Sequence, residues 1–234
     1  MPEGGPLGIF GGTFDPVHVG HLRLAEEARE ALGLSAVRWI PAGQPRHRGQ
    51  PMAAAGHRLR MVELALAGHP RFEIDPAEAT SGEASYTVPT LERLRRTLGS
   101  RPLVLLLGAD AYAGLPGWHR WQEIFSLAHV AIAHRPGFAL EPSALPAALR
   151  EIHRARAVAD DHPAALSAAP AGCVIGFPTT PLDVSATRIR ELLAAGRSVR
   201  YLLPQAVIDY IHHHHLYRQH DGSQETAATG RFRP

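Results

Sequence analysis

Leu103-Val104-Leu105-Leu106-Leu107 is an unbroken apolar run that stops at Gly108. It is too short for an ordinary helix and has no polar alternation, so it reads as a strand buried on both faces. Such strands belong to parallel sheets with helices packed above and below. Residues 7–10, 37–40, 72–74, 129–133 and 174–177 read as further strands, less uniformly apolar. The intervening stretches change to helical spacing. Leu22, Ala25, Ala28 and Leu32 align within residues 22–32, Met61, Leu64 and Ala65 within 58–67, and Leu91, Leu94 and Leu98 within 88–98. Residues 187–195 and 205–211 read as two closing helices, with Gly196 placed to end the first and Pro204 to begin the second. Residues 141–172, rich in Ala and Pro, read as a helix plus an irregular connection. The alternation predicts right-handed βαβ units and an α/β fold with an open, doubly wound, mostly parallel sheet. Ligands of such sheets sit beyond the carboxyl ends of the strands, so the loops leaving strands are where chemistry is expected.

A chain of 234 residues is long enough for one such unit. The pattern supports a single domain over residues 1–217; residues 218–234 are polar and patternless and read as a disordered tail. The formal net charge is +2, and all 24 basic residues are Arg. Arginine suits planar recognition of phosphate and carboxylate, although a GC-rich genome yields the same bias. A charge this small, without a dense basic stripe, argues against a nucleic-acid partner. Cys173 is the only cysteine, so no intramolecular disulfide forms and a reducing compartment is favoured. It reads as a core residue of a strand. No signal peptide is evident at the N-terminus, and no apolar run is long enough for a membrane span. A cytoplasmic protein is expected, and a homo-oligomer is compatible with the sequence.

The first strand leaves through Gly11-Gly12-Thr13-Phe14-Asp15-Pro16-Val17-His18-Val19-Gly20-His21 and runs directly into a helix. Paired glycines let the backbone approach a bulky anion, and a helix N-terminus presents free N–H groups to phosphate. His18 and His21 are three apart on one helical face, with Gly20 leaving the surface between them bare. Two imidazoles there can donate to a polyphosphate and stabilise charge developing on phosphorus. A solvated helix face gives the same spacing, as does part of a Zn site, although no third ligand lies nearby. Late in the chain, Ser185-Ala186-Thr187-Arg188-Ile189-Arg190 opens another helix, with Ser185 or Thr187 as its cap. Arginine in a first turn opposes the helix dipole, which suggests a bound anion, although a solvated arginine gives the same spacing.

The string Gly11 to Pro16 followed by His18-Val19-Gly20-His21 resembles the signature of the HxGH nucleotidyltransferase superfamily. Its longer form resembles the bacterial nicotinate-nucleotide adenylyltransferases. The resemblance spans residues 7–217 and implies a Rossmann-like nucleotidyltransferase fold. Ser185, Thr187, Ile189 and Arg190 are similar to the family's Ser-x-Thr-x-Ile-Arg element. By this resemblance His18, His21 and Arg190 would neutralise charge in catalysis. Gly11, Gly12, Thr13, Phe14, Gly20, Arg135, Ser185 and Thr187 would bind ATP, which enters with Mg²⁺ held mostly by phosphate and water; no protein metal ligand is identified.

The acceptor side follows from the same resemblance. Pro45-Arg46-His47-Arg48 resembles Pro-Pro-His-Lys, with Arg48 keeping the phosphate-facing charge. Ala84-Ser85-Tyr86-Thr87 resembles Pro-Ser-Tyr-Thr, so Tyr86 and Thr87 open a helix that reads an acid group. Gly108 and Asp110 would meet the ribose, and Trp118 would stack on the pyridine ring, whereas Trp121 is compatible with the core. The implied reaction is adenylyl transfer from ATP to nicotinate mononucleotide, giving deamido-NAD and pyrophosphate. Nicotinamide mononucleotide, phosphopantetheine and glycerol phosphate are alternative acceptors. A non-catalytic nucleotide-binding module is a more distant reading that His18, His21 and Arg190 together oppose. His212 to His215 read as an exposed helix end.

Overall fold

The computed structural model describes residues 4–45, 50–134 and 141–218. Six strands form one sheet: β1 (Leu7–Gly12), β2 (Ala36–Pro41), β4 (Phe72–Ile74), β6 (Leu103–Gly108), β7 (His129–His134) and β8 (Val174–Pro178). Every pairing in it is parallel, in the order β4-β2-β1-β6-β7-β8. The order reverses between β1 and β6, so the switch point lies where the glycine-rich loop and the Gly108 turn leave the sheet. Two short strands, β3 (Gln44–Pro45) and β5 (Ala84–Ser85), pair separately in parallel. Two-residue strands leave no periodicity in a sequence, and neither was expected from it.

The helices are α1 (Val19–Ala31), α2 (Ala55–Leu66), α3 (Ala77–Ser81), α4 (Thr87–Leu98), α5 (Ala109–Ala113), α6 (Ile124–Leu127), α7 (Ala147–Arg156), α8 (Ala186–Ala194) and α9 (Gln205–His213). They cover both faces. Along β6, Val104 and Leu106 point to the core shared with Ala25, Met61, Ile189 and Val207. Leu103, Leu105 and Leu107 point to the opposite core with Leu91, Ile124 and Leu149. This period-two division explains why the strand tolerates no polar residue. Each such leucine contributes ~2 kcal/mol by leaving water.

The expected ends hold with small shifts. Helix α8 stops where Gly196 takes φ 65°. The N–H of Gly196 donates to Leu193 O and that of Arg197 to Leu192 O, which satisfies two terminal carbonyls. Pro204 precedes α9 as its N-cap instead of lying in its first turn. Cys173 falls just before β8 and is half-buried, not a core strand residue. Its N–H is spent on the buried His129 ring at 3.0 Å, outside the ladder. Trp121 is buried in the core, and His212 and His213 end α9, exposed together with His214 and His215 in the turn that follows.

Candidate active site

Helix α1 begins with His18 as its extended N-cap residue. The His18 backbone N–H donates to His21 Nδ1 at 3.2 Å. That contact fixes the neutral His21 tautomer, because an accepting Nδ1 leaves the proton on Nε2, where it can donate outward. The two rings stack with centroids 3.7 Å apart and 27° between planes. His21 also packs edge-on against Phe14 at 5.1 Å, and Phe14 joins Phe10 and Trp39 in the core. A Cβ on Gly20 would come within 3.1 Å of the His18 ring, so glycine is what permits this placement. A Cβ on Gly12 would sit 2.8 Å from the Phe14 ring, which is held at φ 49° and is 2% exposed. The corresponding point on Gly11 meets nothing within 4 Å and faces open space.

His18 departs from expectation in its charge. Only 6% exposed, its imidazole is pushed down by burial to about 4. It is therefore neutral near pH 7. The folded state binds this proton less readily than the unfolded chain, whose value is 6.5. The stabilisation from a neutral His18 is thus fully present above that value and is lost as the pH falls towards 4. At pH 5 the loss is about 2 kcal/mol. Thermal melts of the wild type and His18→Asn check this: the two curves should converge by about that amount between pH 7.5 and pH 5. Parallel curves would contradict it. His129 and His153, also lowered by burial, act with the same sign in both proteins.

Helix α8 reaches the same point from the far end of the chain. Ser185 is its cap, accepting from the Arg188 N–H at 3.2 Å. This settles the choice between Ser185 and Thr187. Arg188 pairs outward with Glu191 at 3.1 Å. Arg190 turns inward: it donates to Asp15 O at 2.8 Å and to Thr187 Oγ1 at 3.2 Å. The segment entering α8 is fastened to α1, since Glu27 accepts from both the backbone N–H and the hydroxyl of Thr180. Two helix N-termini thus converge on one glycine-rich loop, and their dipoles add for an anion placed between them.

The loop has an internal frame that sequence reasoning missed. Asp15 is buried and accepts from Met52 N at 2.8 Å, Ala53 N at 3.2 Å and Tyr217 Oη at 2.7 Å. Arg58, 1% exposed, donates to the carbonyls of Thr13, Ala42, Gly43 and Ala53. Its signal was present: Arg58 shares a helical face with Met61 and Val62, so an inward guanidinium follows from i, i+3, i+4 spacing. The Asp15–Tyr217 bond joins residues 202 apart and has no local signal.

A second group lies at the start of α4. Tyr86 is its extended N-cap and Thr87 its first residue. The Tyr86 ring lies 4.8 Å from that of His119, and half-buried Trp118 packs on the neighbouring core. Gly108 caps α5, with exposed Asp110 in its first turn, at the end of the strand beside β1. No Cβ contact within 4 Å is made at Gly108, which leaves room above that turn. Arg48 and Arg135 lie outside the described residues. Among the described residues, no cluster of three or more His, Cys, Asp or Glu is arranged to hold a metal ion. Nor is any helix long and apolar enough to cross a membrane.

Comparison with known proteins shows the family and agrees with this fold. The cytidylyltransferase-like family model matches residues 9–192. A protein of Dechloromonas aromatica named a probable nicotinate-nucleotide adenylyltransferase is 59% identical over 91% of this chain and 98% of its own length. One of Pseudomonas aeruginosa with the same name is 48% identical over 91% and 97%. The fold is shared with Plasmodium falciparum nicotinic acid mononucleotide adenylyltransferase complexed with NaAD, at TM-score 0.67 and 15% identity, covering 91% of this chain and 97% of that one. A glycine-rich loop clamped between two helix N-termini, and relatives alike over nearly their full length, lead to one statement: the chain belongs to the cytidylyltransferase-like family and, within it, to the nicotinate-nucleotide adenylyltransferases.

Proposed function

We propose that the chain transfers the adenylyl group of ATP to the phosphate of nicotinate mononucleotide, releasing pyrophosphate and forming deamido-NAD. The observation that carries the mechanism is the clamp between α1 and α8, closed by Arg190 on the Asp15 carbonyl at 2.8 Å. Gly11, Gly12, Thr13, Phe14 and Gly20 on one side, with Ser185 and Thr187 on the other, form the triphosphate cradle. Arg135, outside the described residues, is assigned to the ATP side by the family resemblance alone. His21 and His18 donate hydrogen bonds, and Arg190 supplies positive charge, as negative charge builds on the phosphoryl oxygens.

An oxygen of the acceptor phosphate attacks the α-phosphorus, and the bond to the bridging oxygen of pyrophosphate breaks. The acceptor is already an anion, so no general base is needed. Catalysis is positioning and electrostatic stabilisation. Asp15 spends its carboxylate on Met52, Ala53 and Tyr217, so the donor set fits a cation that arrives on the nucleotide. Mg²⁺ entering with the nucleotide would supply neutralising charge there.

The start of α4 is assigned to the acceptor: Thr87 and its N–H groups read the nicotinate carboxylate, with Tyr86 and Trp118 against the ring. Arg48 meets the acceptor phosphate, and Gly108 and Asp110 face the ribose. The domain is assigned to residues 1–217, with 218–234 as a tail, in a cytoplasmic enzyme that needs no nucleic acid and is compatible with a homo-oligomer. Pyrophosphate release with ATP and Mg²⁺ tests the reading. Nicotinate mononucleotide should support turnover and phosphopantetheine should not; the reverse would move the chain's acceptor elsewhere.

A further inference from the structure

Glu78 is a half-buried carboxyl group that the mechanism above does not use. It lies on α3, a helix absent from the sequence reading, and faces the acceptor end of the molecule. Thr90, in the first turn of α4, donates its hydroxyl to Glu78 Oε1 at 2.5 Å. The Ser85 hydroxyl on β5 reaches the same carboxyl group. The Ser85 oxygen in turn accepts from Gly43 N at 2.9 Å. Gly43 is pressed against α3 so closely that a Cβ there would fall 2.2 Å from the Glu78 carbonyl oxygen. Gly43 O accepts from Arg58, whose other donors hold Thr13 of the phosphate loop. A continuous chain of contacts therefore runs from Thr13 through Arg58, Gly43, Ser85 and Glu78 to Thr90.

We infer that Glu78 is a positioning residue: it sets the start of α4 relative to the phosphate loop, and so the affinity for an acid-bearing acceptor. The inference rests on the reading of the α4 start as the acceptor's carboxylate site. Its logic is geometric. Strand β5 is only two residues long and α3 only five, so neither fixes Tyr86 and Thr87 by its own ladder. The carboxyl group between Ser85 and Thr90 brackets those two residues from both sides. Burial pushes Glu78 up from the ordinary carboxylate value, opposed by the Thr90 and Ser85 hydroxyls and by Arg93, and reinforced by Asp75. Arg93 is itself held by Asp75 at 2.7 Å, so the local charges are largely spent on one another.

Steady-state kinetics of Glu78→Ala, Glu78→Gln and Thr90→Val, varying each substrate in turn, tests this. Glu78→Ala should raise KM for nicotinate mononucleotide about tenfold, the scale of one buried hydrogen bond, with KM for ATP changed less than about twofold. Thr90→Val should act in the same direction. Glu78→Gln keeps the size and an acceptor for Thr90 and should recover most of the loss. It also removes titration, so any rise in acceptor KM that the wild type shows on ionisation of Glu78 should be absent. Parallel changes in both KM values, or none in either, would overturn the inference. If Glu78→Ala does not fold, Thr90→Val decides by the same split. Wild-type turnover separates the two claims. No pyrophosphate release with nicotinate mononucleotide removes the acceptor reading and this inference with it, whereas turnover with unmoved acceptor KM in the variants removes the inference alone.

Discussion

His21→Ala is expected to lower kcat by about 10²–10³-fold, the cost of one pre-aligned donor to developing charge. The ring is held for that task before substrate arrives. Its Nδ1 is committed to the His18 backbone N–H, Phe14 supports one edge, and the His18 ring supports one face. A ring held on two sides in this way suffers little reorganisation when charge appears. His21→Asn restores a donor on a shorter side chain and should recover part of the rate. KM for ATP should move far less than kcat, because a contact made mainly in the transition state contributes little to ground-state binding. A drop in melting temperature as large as that from losing a core residue would show instead that His21 is structural.

Arg58→Met is expected to destabilise the fold by about 4 kcal/mol or more, lowering the melting temperature by roughly 10 °C. Methionine fills much of the volume but donates nothing. Four carbonyls, those of Thr13, Ala42, Gly43 and Ala53, would lose a charged donor in a site closed to water. Burial pulls the Arg58 pKa down, with Asp15 and Tyr217 opposing that shift, yet a guanidinium stays protonated throughout the working range. The change should also lower kcat/KM for both substrates, since Thr13 and Gly43 stand at the roots of the phosphate loop and the acceptor segment. Arg58→Lys keeps the charge with fewer, differently directed donors and should fall between. An unchanged melting temperature for Arg58→Met would show that the four carbonyls find water or other partners.

What could be read in advance follows from where the physics is local. Strands buried between two helical layers are mostly apolar, so β1, β6, β7 and β8 stand out as apolar runs, whereas β2 is interrupted by Arg38, which pairs with Glu73 on β4. Helices with one buried stripe repeat at 3.6 residues, so α1, α2, α4, α8 and α9 do as well. The starts of α1 and α8 were legible as helix starts because glycine, histidine and hydroxyl residues there follow a motif with a mechanical reason. The rest depends on distant partners. Tyr217 anchors Asp15 from the opposite end of the chain, and Glu78 matters through Ser85 and Thr90 on other elements. The neutrality of His18 was missed for a related reason: residue type gives a titratable imidazole, but burial sets its charge. Short elements such as β3, β5 and α3 are held by tertiary contacts and leave no period to detect.

On the proposed function, an acid-bearing pyridine nucleotide is adenylylated at the β1–β6 switch point and recognised through its carboxylate at the start of α4. The most direct measurement is kcat/KM for nicotinate mononucleotide and nicotinamide mononucleotide, side by side with ATP and Mg²⁺, read by pyrophosphate release. A preference for the acid of about a hundredfold, the scale of one charge-assisted contact, is the predicted result. Equal use of the two acceptors, or release with neither, would contradict it.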